Sequence, residues 1–289
     1  MQQHELLGYI YDIKRITLPS GKELAMMDEG TGDQTILFIH GLANYAAVWN
    51  MQLFSLKDTY RCIAIDLPGN GLSAPIETTY NIELYTQTII EVIVELNLKN
   101  LVLCGHSMGG LIAMNIALDA PNLVSKLVLI APAGIEYFNP LEVLWMKQLL
   151  TIGNFVYSDE QHLEQAIHQS FYKQQNNAET IINDLKKIMQ QQSLKLWRNM
   201  CVDSIISMLD HQLNGKLAQI TQPALVLFGK QDALVPNRVI HPFTDVNALA
   251  VKAKELMPLS DVSIIDNAGH FVQIESSELV NKAIRVFLG

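Results

Sequence analysis

Short apolar runs without polar alternation constrain this chain more than any other feature. They fall at 36–39, 62–65, 101–104, 127–130, 224–228 and 262–265 and are rich in Val, Ile and Leu. Runs of that length suit strands covered on both faces, because a half-exposed strand would alternate apolar and polar side chains. Helical patterns separate most of them. Residues 83–96 carry Leu84, Ile89, Ile90, Ile93, Val94 and Leu96 at helical spacing, 109–118 is small and apolar, and 279–287 has Val280, Ala283, Ile284 and Phe287. Strands alternating with helices predict an α/β fold, a mostly parallel sheet with helices on both faces. The stretch up to about Met27 alternates around Gly21 and predicts an antiparallel hairpin, which brings the sheet to eight strands.

One interval breaks the rhythm. Between the run ending at Ile130 and the one starting at Ala224 no strand pattern appears, and helix patterns take its place. Asn139-Pro140 reads as a cap followed by proline at the first helical position, with Leu141, Leu144, Trp145 and Leu149 on one face. Ser158 with Gln161 fits a capping box ahead of Leu163, Ala166, Ile167 and Phe171. Ile181, Leu185, Ile188 and Met189 make a third stripe, and Leu194, Trp197, Cys201, Ile205 and Met208 a fourth. The expectation is a core of residues 1–133 and 216–289 with a helical cap, residues 134–215, inserted into it.

Charge narrows the partners. The net charge is -9 over 289 residues, which repels phosphate backbones and argues against nucleic-acid binding. Cys62, Cys104 and Cys201 are odd in number and widely spaced, and two lie in strand patterns, so they read as reduced, buried thiols. No run reaches the length of a membrane span, and the N-terminal residues lack a signal-peptide pattern. We therefore expect a cytoplasmic protein without stable membrane insertion. The sequence does not fix its oligomeric state.

Gly105-His106-Ser107-Met108-Gly109 is the chemical feature that stands out. By composition alone G-x-S-x-G would occur in roughly one chain in ten of this length. Here it joins a buried strand pattern to a helix pattern, the setting the motif requires. A sharp turn there strains the serine backbone, and the flanking glycines let neighbouring chain approach closely. It also puts a helix N-terminus, with unpaired N–H groups, where negative charge would develop.

With His40-Gly41-Leu42, the segment Asp66-Leu67-Pro68-Gly69-Asn70-Gly71-Leu72-Ser73, the Ser107 turn, and then Asp232 and Gly269-His270 in that order, the chain resembles the α/β-hydrolase superfamily, in its cap-bearing esterase, lipase and carbon–carbon hydrolase branch. The resemblance covers nearly everything except the cap. It implies an α/β-hydrolase fold with a nucleophile elbow, a catalytic triad and an oxyanion hole.

A serine hydroxyl needs a base, and the base an orienting group. Among the eight histidines, His270 follows the 262–265 run on a loop at the strand's C-terminal end, where α/β sites form. His106 sits beside the serine and should point away from it. His162, His168 and His211 fall on the solvated faces of the insertion. His241 could line the site or pack a loop. Asp232 follows the 224–228 run and matches the family's acid, giving the order Ser107, Asp232, His270. Glu136 stays open as a rival acid, whereas Asp266 lies too close to His270 along the chain. The resemblance assigns the oxyanion donors to the backbone N–H groups of Leu42 and Met108, whose side chains would offer apolar surface to a substrate. By the same reading His40 braces its loop, and Asp66 is architectural.

The expected activity is lipase-like or carboxylesterase-like: hydrolysis of a small-molecule ester, small to medium and largely apolar, through an acyl-enzyme on Ser107. We expect no cofactor and no metal. Serine at 107 disfavours the epoxide hydrolases and haloalkane dehalogenases that the resemblance would otherwise include, since these use aspartate. A carbon–carbon hydrolase or thioesterase with the same triad remains open, with Arg198 as a possible carboxylate partner. So does a binding or receptor protein on a hydrolase scaffold. The insertion offers Phe138, Trp145, Met146, Phe155, Tyr157, Phe171, Trp197 and Met208, each of which could equally pack helices together.

Overall fold

The computed structural model describes residues 7–152, 159–173, 176–213 and 215–289. Eight strands form one sheet. These are β1 (Lys14–Thr17), β2 (Glu23–Glu29), β3 (Thr35–Ile39), β4 (Arg61–Ile65), β5 (Leu101–His106), β6 (Lys126–Ile130), β7 (Ala224–Gly229) and β8 (Ser260–Ile265). Their order is β1-β2-β4-β3-β5-β6-β7-β8, antiparallel at β1/β2 and β2/β4 and parallel from there on. The hairpin and all six apolar runs are where the sequence predicts them.

β3, β5 and β7 are buried along their whole length, as unalternating sequence requires. β8 departs from that expectation. It is the sheet edge, bonded to β7 alone, and exposes Asp261 and Ser263 while α8 (Val246–Leu256) covers its other side.

The helix after β5, α3 (Met108–Asp119), is buried on nearly every side, which accounts for its unbroken small and apolar sequence. α2 (Ile82–Glu95) begins under an Asn81 cap whose Oδ1 accepts the Leu84 N–H at 2.7 Å. α1 (Asn50–Leu56), α9 (Val272–Glu275) and α10 (Ser277–Leu288) pack together on one another.

Between β6 and β7 the described residues hold helices α4 (Pro140–Ile152), α5 (Glu160–Ser170), α6 (Asn176–Gln191) and α7 (Leu194–Asp210) and no strand. Asn139 caps α4, its Oδ1 accepting from Leu141 N at 3.0 Å and Glu142 N at 3.1 Å. Ser158 lies outside the described residues, as do Phe155 and Tyr157. Asp159 is the cap that α5 shows, accepting from His162 N at 2.9 Å. Ile181, Leu185, Ile188 and Met189 of α6 are buried as their spacing predicts. The stripe of α4 is not: Leu141 is 78% and Leu144 54% exposed. Leu194 of α7 is exposed too, while Trp197 and Cys201 are buried.

The helices between β6 and β7 are tied to the rest of the chain by polar bonds as well as packing. Asp184 of α6 accepts from Gly8 N (2.7 Å) and Tyr45 Oη (2.6 Å). His211 Nε2 donates to Asn115 Oδ1 of α3 at 2.5 Å. His211 is therefore half-buried against the core, with a pKa that burial pushes down, and not on the solvated face expected of it.

Candidate active site

Parallel strands deliver their C-terminal ends to one edge of the sheet. Ile39 pairs with Gly105, His106 with Ile130, and Gly229 with Ile265, so the loops after β3, β5, β6, β7 and β8 emerge side by side. The loop after β5 is the tightest. Ser107 has φ 54° and ψ −117°, a conformation a non-glycine residue holds only when its surroundings impose it. Its N–H donates to Ile130 O at 3.0 Å, and its carbonyl accepts from Gly110 N at 2.9 Å and Ala133 N at 3.1 Å. A Cβ on Gly109 would come within 2.2 Å of Ile39 O, and one on Gly41 within 3.1 Å of Ser107 Cβ. Glycine at both positions lets the β3 loop lie directly against the serine.

Ser107 and His270 line one cavity of about 110 Å3, together with Gly41, Leu42 and Asn44 from the β3 loop. His270 Nδ1 donates to Asp232 Oδ2 at 2.8 Å, and both residues are buried. In the neutral ring this leaves the lone pair on Nε2. The other Asp232 oxygen, Oδ1, accepts from Leu234 N (2.8 Å) and Val235 N (3.0 Å), so the carboxylate is held on both sides. The rival acid is elsewhere. Glu136 accepts from Asn237 N at 2.9 Å and from His241 Nδ1 at 2.6 Å, and His241 stacks on Phe138 at 5.4 Å. Asp266 pairs with Lys230 at 2.9 Å.

The remaining histidines near the serine are structural. His40 is fully buried, accepts the Leu67 N–H on Nε2 at 3.0 Å, and must therefore donate from Nδ1 to Gly41 O at 2.7 Å. Burial lowers its pKa to about 4. His106 does not point away from the site, as expected of it. It lines the cavity, and its Nε2 donates to His270 O at 3.0 Å. Its ring packs at 4.8 Å from that of His270, because Gly41 and the His270 backbone close round it. Burial drives its pKa well down, so it is neutral.

Leu42 lines the cavity, but the Met108 side chain does not: it is fully buried in the core, against the expectation that it would meet substrate. As the first residue of α3, Met108 has an N–H with no carbonyl of its own helix to bond. Asp66 is a hub. Tyr9 Oη donates to it at 2.6 Å, Ala46 N at 2.6 Å and Leu72 N at 2.8 Å, while burial raises its pKa to about 6.

Two residues that the sequence did not single out also line the cavity. Asn44 is buried, with an Oδ1 that has no hydrogen-bond partner among the described residues. Ser170 comes from the end of α5, and its carbonyl accepts the His270 N–H at 2.7 Å. Nothing in the local sequence marks either. Their place follows from where the insertion and the β3 loop meet. Beyond Met208, Leu234 and Val235, which it shares with the first cavity, lies a second of about 160 Å3. Arg198 is exposed and lines none of the described cavities.

The alpha/beta hydrolase fold family matches residues 34–277, and the chain belongs to it. Among curated relatives, the dihydrolipoyllysine-residue acetyltransferase component of the acetoin cleaving system of Pseudomonas putida is 28% identical over 269 residues. That match covers 90% of this chain but 64% of the relative, so the chain spans less than two thirds of that protein. A 2-hydroxy-6-oxononadienedioate/2-hydroxy-6-oxononatrienedioate hydrolase of a Pseudomonas species is 25% identical over 283 residues, covering 90% of both chains. Of the solved structures, a probable hydrolytic enzyme of Pseudomonas aeruginosa PAO1 superposes with a TM-score of 0.81 at 20% identity, over 98% of this chain and 96% of that one. No helix among the described residues is long and apolar enough to cross a membrane.

Proposed function

We propose that the chain is a serine hydrolase that cleaves the carboxylic ester bond of a small to medium, largely apolar molecule through an acyl-enzyme on Ser107. One observation carries this reading: a serine on a strained turn shares a cavity with a histidine whose far nitrogen is bonded to a buried, fully hydrogen-bonded aspartate. His270 Nε2 takes the Ser107 proton as Oγ attacks the carbonyl carbon. Asp232 stabilises the imidazolium that forms. The oxyanion is met by the N–H groups of Met108 and Leu42. His270 then protonates the departing alcohol, activates a water, and returns the proton to Ser107 as the acid leaves.

In this reading residues 134–215 form a cap over the site. Ser170 and Met208, both from the insertion, line the cavity, which supports that role. Three buried free thiols fit a reducing compartment such as the cytoplasm. Labelling with a fluorophosphonate, followed by assay of p-nitrophenyl esters of rising chain length, tests the proposal. The wild type should label and turn over, and Ser107→Ala should lose at least about a thousandfold in kcat. An unlabelled wild type would falsify the reading.

A carbon–carbon hydrolase with the same residues is the second reading. It is favoured by the relative named as a 2-hydroxy-6-oxononadienedioate/2-hydroxy-6-oxononatrienedioate hydrolase and by the polar Asn44 in the cavity wall. The exposed Arg198 gives it no support. Labelling without ester turnover, together with cleavage of a vinylogous diketone, would select it.

A further inference from the structure

The loop that carries His270 is fastened on both flanks. On one side it meets the loop of Asp232: Gln231 N donates to Ala268 O at 3.0 Å, and Ala268 N to Gln231 Oε1 at 3.2 Å. On the other side stands Glu275, the last residue of α9. Its Oε2 accepts the Gly269 N–H at 2.6 Å. Its Oε1 accepts from Tyr172 N at 3.0 Å and Lys173 N at 3.2 Å, both in the segment that follows α5. One carboxylate therefore joins the backbone just before His270 to the backbone of the insertion.

The fit around this carboxylate is close. A Cβ on Gly269 would lie 2.7 Å from both Ser170 O and Tyr172 N, and 2.9 Å from Glu275 Oε2. His270 N donates to Ser170 O at 2.7 Å, and the rings of Phe171 and Phe271 stack at 4.8 Å. Two chain segments, 170–173 and 269–271, are thus clamped together, and Glu275 supplies the acceptors on the clamp's far side. Charge-assisted bonds from backbone N–H groups to a carboxylate are stronger than neutral ones.

We infer that Glu275 is a positioning residue for His270: through three backbone N–H groups it locks the imidazole loop to the insertion, and so holds the ring between Asp232 and Ser107. The inference rests on the proposed role of His270. Glu275 touches no substrate in this account, since it does not line the cavity. Its two oxygens are both needed. A glutamine would turn its amide N–H2 toward one of the two sets of donors, releasing either Gly269 or the Tyr172–Lys173 pair whichever way it faces.

The test compares Glu275→Gln, Glu275→Asp and the wild type by steady-state kinetics on a p-nitrophenyl ester and by the 15N shifts of the His270 imidazole. Displacing a catalytic base by a fraction of an ångström costs rate and not affinity. We expect Glu275→Gln to lower kcat about tenfold or more with KM within about twofold, and to shift the His270 ring resonances. Glu275→Asp keeps two acceptor oxygens and should recover part of kcat at wild-type KM. If Glu275→Gln does not fold, Glu275→Asp carries the test alone, with an intermediate kcat and a smaller ring shift expected. Wild-type kcat and unchanged His270 shifts in whichever variant folds would overturn the inference, as would a change confined to KM or to melting temperature. If the wild type itself neither labels nor turns over, the hydrolase reading falls, while the ring shifts still decide whether Glu275 positions His270.

Discussion

A histidine with both ring nitrogens committed to the backbone can hold a loop but has no lone pair left for a proton. His40 is in that position, and its pH behaviour should show it. The folded ring titrates at about 4, against 6.5 for an ordinary histidine. Between those values the unfolded chain binds a proton that the folded one refuses, so stability rises with pH across the window. Its contribution is complete above about 6.5 and is lost as pH falls toward about 4, roughly 3 kcal/mol in all. Asp66 works the other way. Its folded pKa of about 6 lies above the ordinary 3.8, so the folded state keeps a proton the unfolded state has shed, and stability falls as pH rises between the two. The two slopes oppose each other in the wild type. Glutamine at 40 can donate and accept as the imidazole does, without titrating. Urea unfolding of His40→Gln at several pH values from 4.5 to 7 should therefore match the wild type near neutrality and gain on it as pH falls. Parallel curves would refute this assignment. The family resemblance, not the residues themselves, separates His40 as a brace from His270 as the base. His40, His106 and His270 all stand at or next to strand ends, and spacing cannot tell a brace from a base. The order Ser107, Asp232, His270 comes from the resemblance; the structure puts Ser107 and His270 on one cavity and bonds His270 to Asp232.

At the level of elements, periodicity announced the helices but not what covers them. α4 and α6 both read as one-sided apolar stripes. α6 buries Leu185 completely, whereas Leu141 on α4 faces solvent. The pattern is local and the cover is tertiary, so the sequence gives the first and withholds the second. The two stripes should behave differently in thermal unfolding. Leu185→Ala should cost about 2–5 kcal/mol, from lost burial plus a cavity. Leu141→Lys should stay within about 0.5 kcal/mol. Equal costs would mean that the face of α4 is covered in solution. Asn139→Ala, which removes the α4 cap seen at Leu141 and Glu142, should cost about 1 kcal/mol. β8 teaches the same lesson. Its apolar residues suggested a strand covered on both faces, yet as the edge strand it keeps only one neighbour, and strand order is a global property that no run of six residues contains.

At the scale of the molecule, the helices between β6 and β7 and the rest of the chain share a series of adjoining, mainly apolar cavities that begins at the serine. The first cavity shares Met208, Leu234 and Val235 with the second, and the second shares Met146, Ile205, Leu209 and Asn237 with a third of about 250 Å3. Met208 comes from α7, whereas Leu234 and Val235 belong to the loop that carries Asp232, so this shared wall lies where α7 meets that loop. On the ester reading, an acyl chain leaving the carbonyl at Ser107 has these shared residues ahead of it. Methionine is unbranched and adapts its shape, so on that reading a short chain should fit in front of it and a longer one should displace it. Tryptophan at 208 is bulkier and stiffer and would close the passage. On the ester reading, Met208→Trp should leave kcat/KM for p-nitrophenyl acetate within about threefold and reduce it for the octanoate by about tenfold or more, each lost methylene being worth about 0.8 kcal/mol. If acetate and octanoate fall together, the acyl group does not run toward α7, and the second cavity belongs to the leaving group or to neither.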